Sequence, residues 1–154
     1  MRISFDLDET LFVPPKTHQV EPPLPAPFNL LYKERLRKGT VALIHRLQDA
    51  GFQVWVYTSS FRSPRYIRGL FRCYHVRFDG IINGEMHQQC VQRNKPYPMP
   101  TKMPNFFQIA LHVDDEDCIV QNGRVHGFHV LQVGPDDSDW ADKVMAEAFR
   151  IQKL

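Results

Sequence analysis

Two aspartates, Asp6 and Asp8, stand one residue apart near the start of the chain, directly after an apolar run that favours a strand. Alternate side chains of an extended backbone share a face, so the two carboxylates are expected to converge where the strand ends. Two carboxylates held close together repel unless a cation lies between them or one of them binds a proton. The pair therefore predicts a divalent-metal site or a nucleophile beside an acid, although Asp-x-Asp alone is equally typical of a turn.

Two later apolar runs also end in polar residues. The runs at 52–57 and 109–113 are followed by Thr58 with Ser59 and by Asp114 with Asp115. Ligands of open α/β sheets bind outside the carboxyl ends of the strands, which is where all three polar sets are expected. Three such sets in one architecture favour a functional site over ordinary turn chemistry.

The elements that position these residues alternate along the chain. Strands are predicted at 1–5, 52–57, 78–82, 109–113 and 128–133, and helices at 40–50, from Pro64 onward and after 136–139. Residues 85–108 are polar and proline-containing, which predicts a loop. The alternation predicts a single α/β domain over residues 1–154, a Rossmann-like three-layer fold with a mainly parallel sheet.

A proline-rich insertion at about 13–38 interrupts the pattern directly after the two aspartates. Six of the twelve prolines lie between Pro14 and Pro27, and such a segment resists helix formation. Its position predicts either a flap over the site or a tolerated surface loop.

Composition limits the function classes. A chain of 154 residues can bury one core, and its formal charge of +2 does not indicate nucleic acid as a partner. No apolar stretch reaches the roughly 20 residues of a membrane span, and the acidic N-terminal run is not expected to be a signal peptide. Three cysteines without a CxxC pair suggest a reducing compartment, so a cytoplasmic location is expected; the oligomeric state stays open.

The motif Phe5-Asp6-Leu7-Asp8-Glu9-Thr10-Leu11 resembles the first motif of the haloacid-dehalogenase-like (HAD) superfamily, and its Glu-Thr-Leu ending is similar to the small C-terminal-domain phosphatases. Residues 54–58 resemble the second motif, and residues 111–115 resemble the fourth. Between these two the family places a lysine, for which Lys95 and Lys102 both qualify. Lys102 is preferred because it precedes Pro104, where a short helix can begin.

The resemblance implies a HAD-like fold without a large cap domain and a Mg²⁺-dependent phosphatase acting through an aspartyl-phosphate. It makes Asp6 the nucleophile and Asp8 the acid and base, with Thr58, Ser59 and the lysine on the phosphoryl oxygens. Asp6 and Asp114 are then direct metal ligands, Asp8 contributes its backbone carbonyl, and Asp115 lies behind the ligands or holds the lysine. The expected substrate is a phosphorylated small molecule or macromolecule, and a phosphotransferase would use the same two aspartates.

Other hypotheses stay open at this point. The same residue types serve a receiver-like phosphoacceptor, and a catalytically silent binding module would keep the fold. A Cys/His set, Cys73, His75, His87 and Cys90, has spacing that could enclose zinc. Arg62, Arg65 and Arg68 are typical of a solvated helix face but also stand next to the second motif, where arginines bind phosphate.

Overall fold

Five parallel strands form the sheet on which the chain is built, in a computed structural model that describes residues 1–154. In chain order they are β1 (Arg2–Phe5), β2 (Gln53–Tyr57), β3 (Gly80–Ile82), β4 (Ile109–Asp114) and β5 (Val130–Gln132). Across the sheet the order is β3-β2-β1-β4-β5, and every neighbouring pair is parallel. The predicted α/β, Rossmann-like class is confirmed. Receiver domains of the flavodoxin type order their strands 2-1-3-4-5, so this topology differs from theirs.

Six α-helices, one π-helical turn and one 3₁₀ turn accompany the strands. They are α1 (Phe28–Leu31), α2 (Thr40–Asp49), α3 (Pro64–Cys73), α4 (Gly84–His87), α5 (Asp117–His126) and α6 (Trp140–Gln152). A π-helical turn (Gln88–Gln92) extends α4, and a 3₁₀ turn (Pro104–Phe107) precedes β4. Helix α3 starts as its sequence predicts, because Ser63 caps the backbone N–H of Tyr66 and Pro64 occupies the first turn.

The hydrophobic core lies against one face of β1, β2 and β4. The other face is largely buried as well, as expected for a parallel sheet covered by helices, but it carries the polar side chains of Ser4 and His112. Ile3, Val54 and Leu111 are fully buried, one on each strand. Helices α2, α3 and α6 cover them with apolar stripes spaced three and four residues apart: Leu43, Ile44 and Leu47; Ile67, Leu70 and Phe71; Val144 and Ala148. This packing fixes the ends of β1 and β4, where the aspartates are.

The prediction of a loop over 85–108 is wrong in part. Residues 84–92 are helical, because the Asn83 side chain accepts the backbone N–H of Met86 and so caps the first turn of α4. The acidic run 136–139 before α6 provides no side-chain cap: Asp139 precedes the helix without a cap hydrogen bond, and Lys143 pairs with Asp137 and Asp139. Helix α5 was not predicted.

The proline-rich insertion is packed against the rest of the chain. Isolated bridges join Phe12 to Leu36 and Val20 to Arg37, and Leu24 and Leu36 are buried. The segment therefore has a defined course beside the end of β1. None of the helices combines the length and the apolarity that crossing a membrane requires.

Candidate active site

The end of the central strand β1 meets the end of its neighbour β4 at a lysine. Asp6 follows β1, where its backbone N–H donates to the carbonyl of Val113. The ammonium of Lys102 lies 2.9 Å from Asp6 Oδ1 and 2.5 Å from Asp114 Oδ2. All three residues are almost fully buried. The two carboxylates therefore share one cation at the carboxyl edge of the sheet.

The structure separates the two candidate lysines. Lys102 is 2% exposed and reaches the carboxylates from the segment before the 3₁₀ turn. Lys95 lies on the surface after the π-helical turn. Of the two, Lys102 alone lies at the site, as the sequence favoured.

A hydrogen-bonded chain behind β4 orients Asp114. His112 is fully buried, with Nε2 2.9 Å from Asp114 Oδ2 and Nδ1 2.7 Å from the Ser4 hydroxyl. Burial lowers the pKa of His112, which favours the neutral ring. In the neutral ring beside an ionised Asp114, Nε2 donates to Asp114 and Nδ1 accepts from Ser4. Burial alone would raise the pKa of Asp114, but hydrogen bonds from His112 and Lys102 hold it well below its usual range. Asp114 is thus a carboxylate locked in orientation.

Three carboxylates converge at the site. Oxygens of Asp6, Asp114 and Asp115 lie within 4.8 Å of one another. Burial raises the pKa of Asp6 to about 7, against the opposing effect of Lys102, and burial with the neighbouring Asp114 also raises the pKa of Asp115. One ammonium does not balance three carboxylates. The cluster therefore has an excess of negative charge and the hard oxygen donors that Mg²⁺ prefers, so these residues fit that ion.

Thr10 of the first motif contacts Asp115, which stands next to Asp114. Of the two positions predicted for Asp115, contact with the lysine is not observed; its carboxylate instead accepts a 3.4 Å hydrogen bond from the Thr10 hydroxyl. Thr10 is fully buried and braces the loop after β1. Glu9 has a φ of 61°, a left-handed conformation that is strained for this residue type. The loop is therefore held in a tight, specific shape.

The residues after β2 lie on the other side of β1. Thr58 is buried, and its hydroxyl oxygen accepts the backbone N–H of Ser60 at 3.1 Å. Ser59 is exposed. Because β2 pairs with β1, Thr58 and Asp6 follow neighbouring strands at the same edge of the sheet.

Asp8 lies outside the carboxylate cluster and pairs with an arginine. Both of its oxygens accept hydrogen bonds of 2.9 Å from the Arg62 guanidinium, a bidentate pair. The Asp8 side chain remains 56% exposed. Sequence reasoning missed this pair because 54 residues separate its members.

The zinc hypothesis is wrong. Among histidines, cysteines and acidic residues, the only group of three or more that converges is the carboxylate cluster. His87 instead makes a 2.6 Å hydrogen bond to the Tyr57 hydroxyl, and Cys90 is exposed. The Cys/His set is four separate residues.

A cavity of about 560 Å³ lies beside the site rather than within it. It lies between the proline-rich insertion and the segment before α6, and its lining includes His18, Arg37, Lys38, Asp136, Asp137 and Trp140. None of the converging carboxylates borders it. The groups that can do chemistry are therefore the carboxylates, which lie outside this cavity.

Comparison with known proteins gives structural neighbours only. No family model and no curated protein matches the sequence. A predicted phosphatase from Clostridium acetobutylicum has a TM-score of 0.57 at 15% identity, covering 99% of this chain and 98% of that one. An uncharacterized protein from Listeria monocytogenes serotype 4b has a TM-score of 0.55 at 19% identity, covering 99% of both chains. A chain of the Pnkp1/Rnl/Hen1 complex has a TM-score of 0.56 at 13% identity; 86% of this chain aligns with it and spans 45% of its length.

At these identities the likeness concerns the fold. Two of the neighbours align with nearly the whole chain over nearly their whole length, so no part of this chain is left over that could form a large cap domain. The chain therefore shares an α/β, Rossmann-like fold without a large cap domain with these neighbours, and that part of the expectation is confirmed.

Proposed function

We propose that the chain is a Mg²⁺-dependent phosphatase that hydrolyses a phosphomonoester through an aspartyl-phosphate on Asp6. The observation that carries the proposal is the buried Asp6–Lys102–Asp114 contact, with Asp115 alongside, at the carboxyl edge of the sheet. The fold shared with a predicted phosphatase from Clostridium acetobutylicum supports it. The substrate is a phosphorylated small molecule or macromolecule.

In the first step an Asp6 oxygen attacks phosphorus, the ester P–O bond breaks, and Asp8 gives its proton to the departing oxygen. In the second step water attacks phosphorus and passes a proton to Asp8, which releases inorganic phosphate and restores the Asp6 carboxylate. Lys102 holds the Asp6 carboxylate in place at 2.9 Å, and Thr58 donates to a phosphoryl oxygen. Each role in the two steps is thus assigned to a residue of this chain.

Asp6, Asp114 and Asp115 would hold the metal ion. When bound, Mg²⁺ supplies the charge neutralisation that an anionic nucleophile needs to approach an anionic phosphoryl group. His112 and Ser4 support this by fixing the direction of the Asp114 carboxylate.

The experiment replaces Asp6 with Asn and measures turnover of p-nitrophenyl phosphate with Mg²⁺. We expect Asp6→Asn to lower kcat at least about 10³-fold, because the amide is not a nucleophile for phosphorus. Chelation with EDTA should abolish wild-type turnover, and added Mg²⁺ should restore it. Asp142→Asn is the matched control, an exposed aspartate on α6, and should retain turnover within about twofold. Undiminished turnover by Asp6→Asn would show that Asp6 is not the nucleophile, and an inactive wild type would favour a silent binding module.

A further inference from the structure

Arg62 pairs with Asp8 and is itself fixed by contacts with three other residues. Its Nε donates to Glu34 Oε1 at 3.0 Å, and the other oxygen of Glu34 accepts from the Tyr66 hydroxyl. The guanidinium lies over the Phe12 ring, 5.3 Å from its centroid. The Arg62 carbonyl also accepts a hydrogen bond from the Asn83 side chain. Both the backbone and the head group of Arg62 are therefore anchored.

The two partners of the pair differ in their surroundings. The Arg62 and Glu34 side chains are 25% and 22% exposed, whereas Asp8 is 56% exposed on the loop after β1. A half-exposed carboxylate on its own would sample several rotamers. Two parallel hydrogen bonds from an anchored, planar guanidinium leave it one orientation.

We propose that Arg62 is a positioning residue that holds the Asp8 carboxyl group in register for proton transfer, and that Glu34 orients Arg62 for this task. The inference rests on the proposed phosphatase function and extends it. It gives the proline-rich insertion a role in the reaction, because Glu34 belongs to that segment and contacts Arg62, which in turn holds Asp8.

The proton balance is that of the two steps already given. Each Asp8 oxygen accepts one hydrogen bond from Arg62 and keeps a second lone pair. A proton carried on that lone pair passes to the ester oxygen as the P–O bond breaks, and the attacking water returns a proton to it as the aspartyl-phosphate is cleaved. Arg62 exchanges no proton and forms no bond to phosphorus. Its loss should therefore matter only where the reaction depends on a correctly placed Asp8.

The test measures release of the leaving group in a single turnover, with enzyme in excess and Mg²⁺ present, from two substrates. Glycerol 2-phosphate has an alkoxide leaving group that needs a proton, whereas 2,4-dinitrophenolate leaves without one. The variants are Arg62→Gln, Arg62→Lys, Glu34→Gln, Asp8→Asn and the double variant Asp8→Asn with Arg62→Gln. Arg46→Gln is the matched control, since Arg46 also pairs with an aspartate, Asp142, but at an exposed contact between α2 and α6.

For Arg62→Gln we expect the rate of leaving-group release to fall about 100-fold on glycerol 2-phosphate and less than about threefold on 2,4-dinitrophenyl phosphate. The substrate concentration at half-saturation should change less than about threefold. Arg62→Lys, which keeps the charge without the fork, and Glu34→Gln should each lose about tenfold on the alkyl ester. In the Asp8→Asn background, Arg62→Gln should cost nothing further, within about twofold. Arg46→Gln should match the wild type.

Three results would overturn the proposal. The first is an equal loss of rate on both substrates together with a higher substrate concentration at half-saturation, which would make Arg62 a phosphate ligand. The others are a further loss of rate when Arg62→Gln is added to Asp8→Asn, and a rate for Arg62→Gln equal to or above that of the wild type. Glu34→Gln leaves Arg62 in place, so its result holds even if Arg62→Gln folds poorly. A wild type with no Mg²⁺-dependent release from either substrate would instead remove the phosphatase function, and this proposal with it.

Discussion

Lys102 is the residue on which the charge balance of the site depends. Its ammonium is buried and contacts Asp6 and Asp114, and both contacts raise the pKa of Lys102 against the lowering effect of burial. Removing one partner from a buried ionic group leaves the others uncompensated, which is far more costly than losing a surface charge. Lys102 therefore keeps the Asp6 and Asp114 carboxylates together.

Replacing each of the two candidate lysines, Lys95 and Lys102, with methionine should show which one the activity depends on. Lys102→Met removes the ammonium from the carboxylates and should lower kcat for p-nitrophenyl phosphate at least about 100-fold, because the nucleophile loses its fixed partner. Lys95→Met, at an exposed position, should stay within about twofold of the wild type. Steady-state kinetics with Mg²⁺ checks both variants, and a larger effect at Lys95 would reverse the assignment.

The sequence predicted those site residues that stand at strand ends. Asp6, Thr58 and Asp114 follow buried apolar runs, and parallel strands bring their carboxyl ends to one edge. It did not predict the Arg62–Asp8 pair or the Ser4–His112 contact, because each is a tertiary contact between distant parts of the chain. No local spacing encodes such contacts.

At the scale of elements, Arg37 joins the proline-rich insertion to the segment before α6. The residue is 4% exposed, and its Nη2 donates to the carbonyls of Gly134 at 2.6 Å and Asp137 at 2.8 Å. Its guanidinium also lies 4.5 Å from the centroid of the Trp140 ring. Three parts of the chain are thus held by one side chain.

Arg37→Met should therefore destabilise the fold. It leaves two carbonyls without donors, and we expect the free energy of unfolding to fall by about 3 kcal/mol. Arg46→Met is the control: it breaks an exposed ion pair of 3.6 Å and should cost less than about 0.5 kcal/mol. Urea unfolding followed by circular dichroism measures both. Equal effects would show that the Arg37 contacts contribute no more than a surface pair.

Elements with strong apolar periodicity were predictable, and weakly patterned ones were not. Helices α2 and α3 carry regular buried stripes, and both lie close to their predicted positions. Helix α5 buries only Ile119 and Gly123, so its sequence carries little helical signal. The polar residues and prolines of 85–108 indicate a loop, yet residues 84–92 form helical turns that depend on the side-chain cap from Asn83.

At the scale of the whole molecule, the site lies where the strand order changes direction. From β1 the chain builds outward to β2 and β3 on one side and to β4 and β5 on the other. The carboxyl ends of β1 and β4 lie side by side at this point, and Asp6 and Asp114 both contact Lys102 there. Without a large cap domain, the proline-rich insertion is the segment that reaches Asp8, through Glu34 and Arg62. That residues 1–154 form one folding unit stays a prediction.

The proposed mechanism depends most directly on a covalent phosphoryl group on Asp6. The measurement is to mix the wild type with 2,4-dinitrophenyl phosphate and Mg²⁺, quench in acid, reduce with borohydride and locate the modified residue by peptide mass spectrometry. Borohydride converts an aspartyl-phosphate to homoserine, so we expect homoserine at position 6 and none in Asp6→Asn. Homoserine at position 8, 114 or 115, or no homoserine in an enzyme that turns over, would contradict the account.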